Sequence, residues 1–315
     1  MTMESNEIVL PPRDSDDWSL KQLEGIIIAT KTSAMLSTIA SLVVIYLIVR
    51  PIQNRDANKT YLRIIFLLSL HDVLSSFAVF MSTWAAPRDN LHASQMPGCF
   101  GNWTTCEIQG FFISYGYSSC MIYNSLLSLY FLLFIKHGWK EEKFDNMKWP
   151  VLCFSFLLPF SFSLCMVVTK SINPGLFFCF LQSYPINCEV GDEYTCIRGE
   201  NSILIQMVYV GGFVLLSSAV IIVSNLKLYF FVKKIERRSR RWSASSINKK
   251  QSKHSNVVFR KATWYVFAFG FIWWPTIVSF RFFILRPFHH ANVYYLDEFG
   301  SKQINWIHKL LFRSN

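Results

Sequence analysis

Long, unbroken apolar stretches alternate along this chain with short polar and charged ones. Six apolar stretches run over about 26–49, 62–86, 108–135, 149–169, 203–232 and 262–285. Each meets the roughly 20 apolar residues a helix needs to cross hydrocarbon. Buried strands are the competing explanation, but strands usually run about 4–8 residues, far shorter than these. The pattern predicts an all-α fold, a polytopic membrane helix bundle with six clear spans over 26–285. Only Lys31, Arg63, Asp72, Lys227 and Arg281 are charged within the spans. All but Asp72 lie near a span end, where long side chains snorkel to the interface.

Composition narrows the picture. The chain has 315 residues, 52% of them apolar and 16% charged, where a soluble protein carries about 25% charged. So few charges cannot cover a soluble surface, and so apolar a chain cannot stay disordered. The net charge of +11 would suit nucleic acid if the basic residues formed one patch. They do not. Well over half of the 31 Lys and Arg fall in three polar segments, 50–61 with Arg63, 136–148 and 233–261. The intervening segments hold only Arg88, Lys170 and Arg198. Cytoplasmic loops carry the basic excess, so the three basic segments are expected inside and the N-terminus outside. Residues 1–25 carry Glu4, Glu7, Asp14, Asp16 and Asp17. They read as an acidic extracellular tail rather than a signal peptide, which needs a basic start and an apolar run. Membrane lipids are thus expected partners and nucleic acid is not.

Cysteine placement tests that topology independently. Cys120, Cys153 and Cys165 lie in spans and are expected to be small apolar fillers. Cys99, Cys106, Cys179, Cys188 and Cys196 all fall in the two expected outer loops, on the side where disulfides persist. Cys106 is expected to pair with an outer-loop cysteine, and five is an odd number, so one is left over. Asn102-Trp103-Thr104 is a glycosylation sequon among them. Asn58-Lys59-Thr60 is a second, but it lies on the expected inner side.

Several motifs resemble those of G-protein-coupled receptors. Leu70-His71-Asp72-Val73-Leu74 resembles the aspartate-bearing segment of receptor helix two, and Ile272-Trp273-Trp274-Pro275 the Trp-x-Pro of helix six. Cys106-Glu107-Ile108-Gln109-Gly110 resembles the start of helix three in the cyclic-AMP-receptor-like group. Leu129-Tyr130 and Gly138-Trp139-Lys140-Glu141-Glu142-Lys143 look like the helix-three exit of orphan receptors of diatom type. Phe178-Cys179 and Cys196-Ile197-Arg198-Gly199-Glu200 look like their second outer loop. The resemblance covers roughly residues 20–285. It implies a seven-helix plasma-membrane receptor that passes an extracellular ligand's signal to a heterotrimeric G protein by movement of helices five and six. It also implies that Cys179 is the partner of Cys106. Cys188 and Cys196 stay open as alternatives, and those two are able to pair with each other.

The departures are specific. Helix one lacks a Gly-Asn pair, helix three ends without Asp-Arg-Tyr, and helix five has no proline. Beyond 285 no run approaches a seventh span, and no Asn-Pro-x-x-Tyr occurs. Residues 286–315 are an atypical C-terminal segment, and six spans place the C-terminus outside. A truncated or mis-spliced receptor is expected, with a full-length receptor copy as a candidate dimer partner.

Asp72 is the one carboxylate near the centre of a span. An ionisable group there costs about 2.5–3.5 kcal/mol on insertion scales, so it should face the bundle interior. The resemblance implies an ion- or proton-linked switch; the plain alternative is an aspartate bonded to a serine of helix one or three. Pro275 removes a backbone hydrogen bond and kinks its helix, giving a hinge with Trp273 beside it as a ligand sensor. A static kink with a core tryptophan competes. Gln109, Tyr115, Tyr117 and Tyr123, with Trp273, are candidates to line a ligand pocket between helices, against ordinary aromatic packing. Tyr184, Trp103 and Arg198 are candidates for a lid. Lys140, Lys233, Lys234, Arg237, Arg238, Arg240 and Arg241 are candidates for G-protein or anionic-lipid contact. Ser243 follows Arg240-Arg241-Trp242 and is a candidate phosphorylation site.

An enzyme reading finds no His-Glu-x-x-His, Walker-type loop or Gly-x-Ser-x-Gly. No cofactor and no metal are called for. A six-span transporter or channel is the competing function. It would be expected to show inverted repeats and paired broken helices, or a polar pore lining.

Overall fold

A computed structural model describes residues 20–50, 60–90, 98–175, 177–185, 188 and 195–242. The span expected over 262–285, with Trp273 and Pro275, lies outside them, as do Ser243, residues 1–19 and the segment 286–315. The chain divides into units Met1–Ile235 and Glu236–Asn315. Of the second, only its first residues, to Trp242, are described, as helix.

The described chain is mostly helical. Helix α1 covers Leu20–Val49, α2 Thr60–Met81, α3 Trp103–His137 and α4 Glu141–Val168. Helix α5, Ser202–Tyr209, passes through a π-helical turn at Val210–Leu215 into α6, Leu216–Trp242. This makes five helices among the described residues long and apolar enough to cross a membrane. Between α4 and α5 a two-stranded antiparallel hairpin forms from β1, Ile172–Pro174, and β2, Cys179–Leu181.

Helices run further than the apolar stretches. A helix continues into water wherever its backbone bonds and caps hold, whereas hydropathy marks only the lipid-facing part. Residues 20–25, expected in the tail, are the first turns of α1. The expected 136–148 loop shrinks to residues 138–140, because α3 runs to His137 and α4 starts at Glu141. The first part of the expected 233–261 loop is helix through Trp242. Lys233, Lys234, Arg237, Arg238, Arg240 and Arg241 therefore stand on α6 and not in a loop.

The caps explain the boundaries of α3. Asn102 accepts from the Thr105 N–H at 2.9 Å, and the Thr105 hydroxyl accepts from the Asn102 N–H at 2.8 Å. This reciprocal box satisfies two donors the helix leaves open. At the other end Gly138 takes φ 65°, a left-handed conformation that stops the helix without a side-chain penalty. Helix α4 carries Pro150 and Pro159 inside it. Each removes one rung of the backbone ladder, which membrane helices tolerate when neighbours re-satisfy the freed groups.

Helix α2 lies between α1 and α3. Its Ala78 and Val79 pack with Ile113 of α3, and its Ser75 lies against Gly116, where an added Cβ would stand 2.5 Å from the Ser75 Cβ. Small residues let helix backbones approach where lipid supplies no hydrophobic drive for association. Two buried serines of α3 are satisfied within the helix: Ser114 donates to Gly110 O at 2.8 Å and Ser118 to Ser114 O at 2.6 Å. The outward surfaces are apolar, with Leu36 and Leu47 on α1 and Trp149, Phe154, Leu157 and Val168 on α4 exposed. Such faces are stable against lipid and not against water. Cys120 is buried as expected, but Cys153 and Cys165 are exposed on α4. They are surface residues of the helix and fill no core gap.

Candidate functional site

Three polar clusters sit at different depths along α3. The first is at its start. Cys106 and Cys179 form a disulfide with 5.3 Å between Cα atoms, and Cys188 and Cys196 form a second. Of the five cysteines expected in outer loops, Cys99 is in neither bond. Burial pushes the Cys99 thiol pKa up, with a smaller opposing pull from the Asn90 amide. The first disulfide holds the hairpin on α3, and Gln109 completes the attachment. Its amide donates to Ala78 O at 2.9 Å and Ser82 O at 2.8 Å, and its oxygen accepts from the Cys179 N–H at 2.9 Å. Ser82 donates to Phe177 O at 2.7 Å. Gly110 lies one residue on. A Cβ there would stand 2.3 Å from a methyl carbon of Ile172, so only glycine admits the hairpin this closely.

Beside the hairpin, the lid candidates meet. The Trp103 and Tyr184 rings are 5.1 Å apart, and the Arg198 guanidinium lies 4.6 Å from the Trp103 ring centre. Arg198 also pairs with Glu107. Asn102 is exposed at the start of α3, with its side-chain oxygen engaged in the cap.

The second cluster is at mid-span. Asp72 accepts from Ser37 Oγ at 2.9 Å and Ser41 Oγ at 2.5 Å, both on α1. His71, one residue earlier, points the other way, as neighbours about 100° apart on a helix do. Its Nδ1 lies 2.7 Å from Leu67 O and its Nε2 3.1 Å from the Tyr115 hydroxyl. A carbonyl only accepts, so Nδ1 carries the proton; in the neutral ring Nε2 then accepts from Tyr115. Tyr115 and Tyr123 flank the imidazole, with ring centres 5.3 and 5.2 Å away.

Of the four described pocket candidates, Tyr115 and Tyr123 meet at His71. Gln109 is committed to backbone groups of α2, of Ser82 just past it and of β2. Tyr115 meets His71, Phe156 and Phe160; Tyr123 meets His71. Tyr117 packs with Phe178 and Phe180 against the core of Ala34, Ala78, Val79 and Ile113.

The third cluster joins the opposite ends of α2, α3 and α4. Glu141 accepts from the Tyr130 hydroxyl at 2.6 Å, the Thr60 hydroxyl at 2.8 Å and the Thr60 N–H at 3.2 Å. One turn along α4, Asp145 pairs with Arg63 of α2 at 2.8 Å. Tyr130 also packs on Phe144, with ring centres 4.8 Å apart. The sequence reading picked out the Tyr130 and Glu141 motifs but assigned neither a role. Their signal was weak: a carboxylate at the first position of a helix reads as a dipole partner, and its tertiary acceptors are invisible in sequence. Next to this cluster, Lys140 stands in the short α3–α4 turn, and Lys143 Nζ lies 3.9 Å over the Trp139 ring. Lys233 and Lys234 are exposed on α6. No family model matches the chain, and no curated protein matches it.

Proposed function

We propose that the chain is a receptor of the G-protein-coupled type, set in the plasma membrane with its N-terminus outside. The observation that carries this reading is the disulfide from Cys106, at the start of α3, to Cys179 in the hairpin between α4 and α5. It fastens an outer loop across the bundle and holds one face rigid. An extracellular ligand then acts against that face, through the aromatic and charged groups around Trp103, Tyr184 and Arg198. The signal leaves at the opposite end, where the basic part of α6 meets a heterotrimeric G protein. The π turn at Val210–Leu215 supports a movable fifth span, because such turns break the regular ladder and recur at functional positions. It contains Gly211 and Gly212 and stands where the sequence lacks a helix-five proline.

The deciding measurement is ligand-dependent nucleotide exchange on a co-reconstituted G protein. Exchange that rises with ligand and falls when α6 loses Arg237, Arg238, Arg240 and Arg241 is the expected result. Solute or ion flux in proteoliposomes without any exchange would assign the chain to the transporter or channel class instead.

A further inference from the structure

The α3–α4 turn holds an open depression of about 450 Å³. Its lining includes His137, Trp139, Lys140, Glu142 and Lys143. Lys140 and Lys143 are exposed, and Trp139 is half-buried with Lys143 over its ring. We infer that this depression binds the phosphorylated headgroup of an anionic membrane lipid. It is open and polar, which suits a group that stays partly hydrated. Two lysines and a histidine are among its lining, a donor set that suits a compact anion with several acceptor oxygens. Trp139 belongs at the membrane–water boundary, where indole rings collect. The turn directly joins two membrane-crossing helices, so a headgroup reaches the depression while its chains stay in the bilayer. Basic pockets at the cytoplasmic ends of spanning helices take phosphoinositide-type headgroups on this physical basis. Glu142 opposes the anion and sets a limit: a singly charged headgroup gains little there, whereas a multiply phosphorylated one outweighs the carboxylate.

The inference rests on the inward placement of this turn, which belongs to the receptor reading. Its test needs neither agonist nor G protein, so the two readings fail separately. The full chain is placed in phosphatidylcholine nanodiscs with a fluorescent phosphatidylinositol bisphosphate, and apparent affinity is measured. Each lysine near the headgroups is worth about fivefold, so K140Q/K143Q should bind roughly thirty-fold more weakly. K170Q, just beyond the other end of α4, should bind as the unaltered chain does. E142Q should bind several-fold more tightly, a gain that misfolding cannot produce. Phosphatidylserine at equal total charge should compete poorly. Soluble inositol phosphate should displace the lipid only at far higher concentration, because it lacks confinement to the bilayer. Unchanged affinity in K140Q/K143Q, no gain in E142Q, or equal potency of phosphatidylserine would overturn the site. Equal potency of soluble inositol phosphate would overturn its assignment to a lipid.

Discussion

Asp72 and Gln109 are both polar groups held inside a membrane bundle, and they differ in what depends on them. The two hydrogen-bond partners of Asp72 are serine hydroxyls. Hydroxyls on a helix can turn to their own backbone carbonyls, as Thr38 does to Ala34 O at 2.9 Å. Removing the carboxylate therefore orphans little. Asp72→Ala should reach the surface in near-normal amount while its agonist response changes; loss of surface protein would show that the residue only supports folding. Gln109 is the reverse case. Its three partners are backbone groups of Ala78 in α2, of Ser82 just past α2 and of Cys179 in β2, and nothing local replaces it. Gln109→Ala should lower stability by about 1–3 kcal/mol, the cost of buried backbone groups left unmade. The check is an unfolding midpoint in detergent. A stable Gln109→Ala chain that loses ligand affinity would return Gln109 to the pocket.

At the scale of elements, α4 is fastened at its first turns and the hairpin at its second strand. The attachment of α4 runs through Glu141 to α2 and α3 and through Asp145 to Arg63. Glu141→Ala removes the acceptor for the Thr60 N–H, and this amide should exchange with deuterium faster. The first turn of α2 should loosen with it, while the mid-span amides of α2 stay protected. Unchanged exchange at Thr60 would mean that Asp145 and the Phe144–Tyr130 contact suffice. The hairpin depends on close approach at Gly110. Gly110→Ala sets a methyl into the space of Ile172, so the strands must move outward and the fraction of chains with the Cys106–Cys179 bond should fall. Non-reducing peptide mapping reads that fraction directly.

At the scale of the unit Met1–Ile235, the Cys106–Cys179 bond stands at the start of α3, and Lys140 and Lys143 stand beyond its other end. The first disulfide closes a long loop, its cysteines 73 positions apart. Replacing both cysteines with serine should cost roughly 2–4 kcal/mol, read as a lower unfolding midpoint and poor surface delivery. Topology has its own test. An N-terminus on the outside would expose Asn102 to glycosylation, and glycosidase treatment should then shift the unaltered chain and leave Asn102→Gln unmoved. No shift in either would place the start of α3 on the opposite side.

Five long helices were legible in the sequence because lipid imposes a length and a polarity on anything that crosses it, and that demand is written residue by residue. The sidedness of charge and cysteine is likewise a linear property. What each side chain touches is not. Hydropathy ends α3 near residue 135 and starts α4 near 149, whereas Gly138 and Glu141 place those ends by backbone conformation and by bonds to other helices. Tyr115 and Gln109 look alike in sequence as outer-half polar residues of one helix; one packs on His71 and the other binds the hairpin. The sequence by itself determined the membrane class, the helices and their alternation. Only the tertiary structure decided the partners of Asp72, the direction of His71 and the cluster around Glu141. Those depend on residues dozens of positions apart, and no local pattern encodes which distant helix arrives alongside.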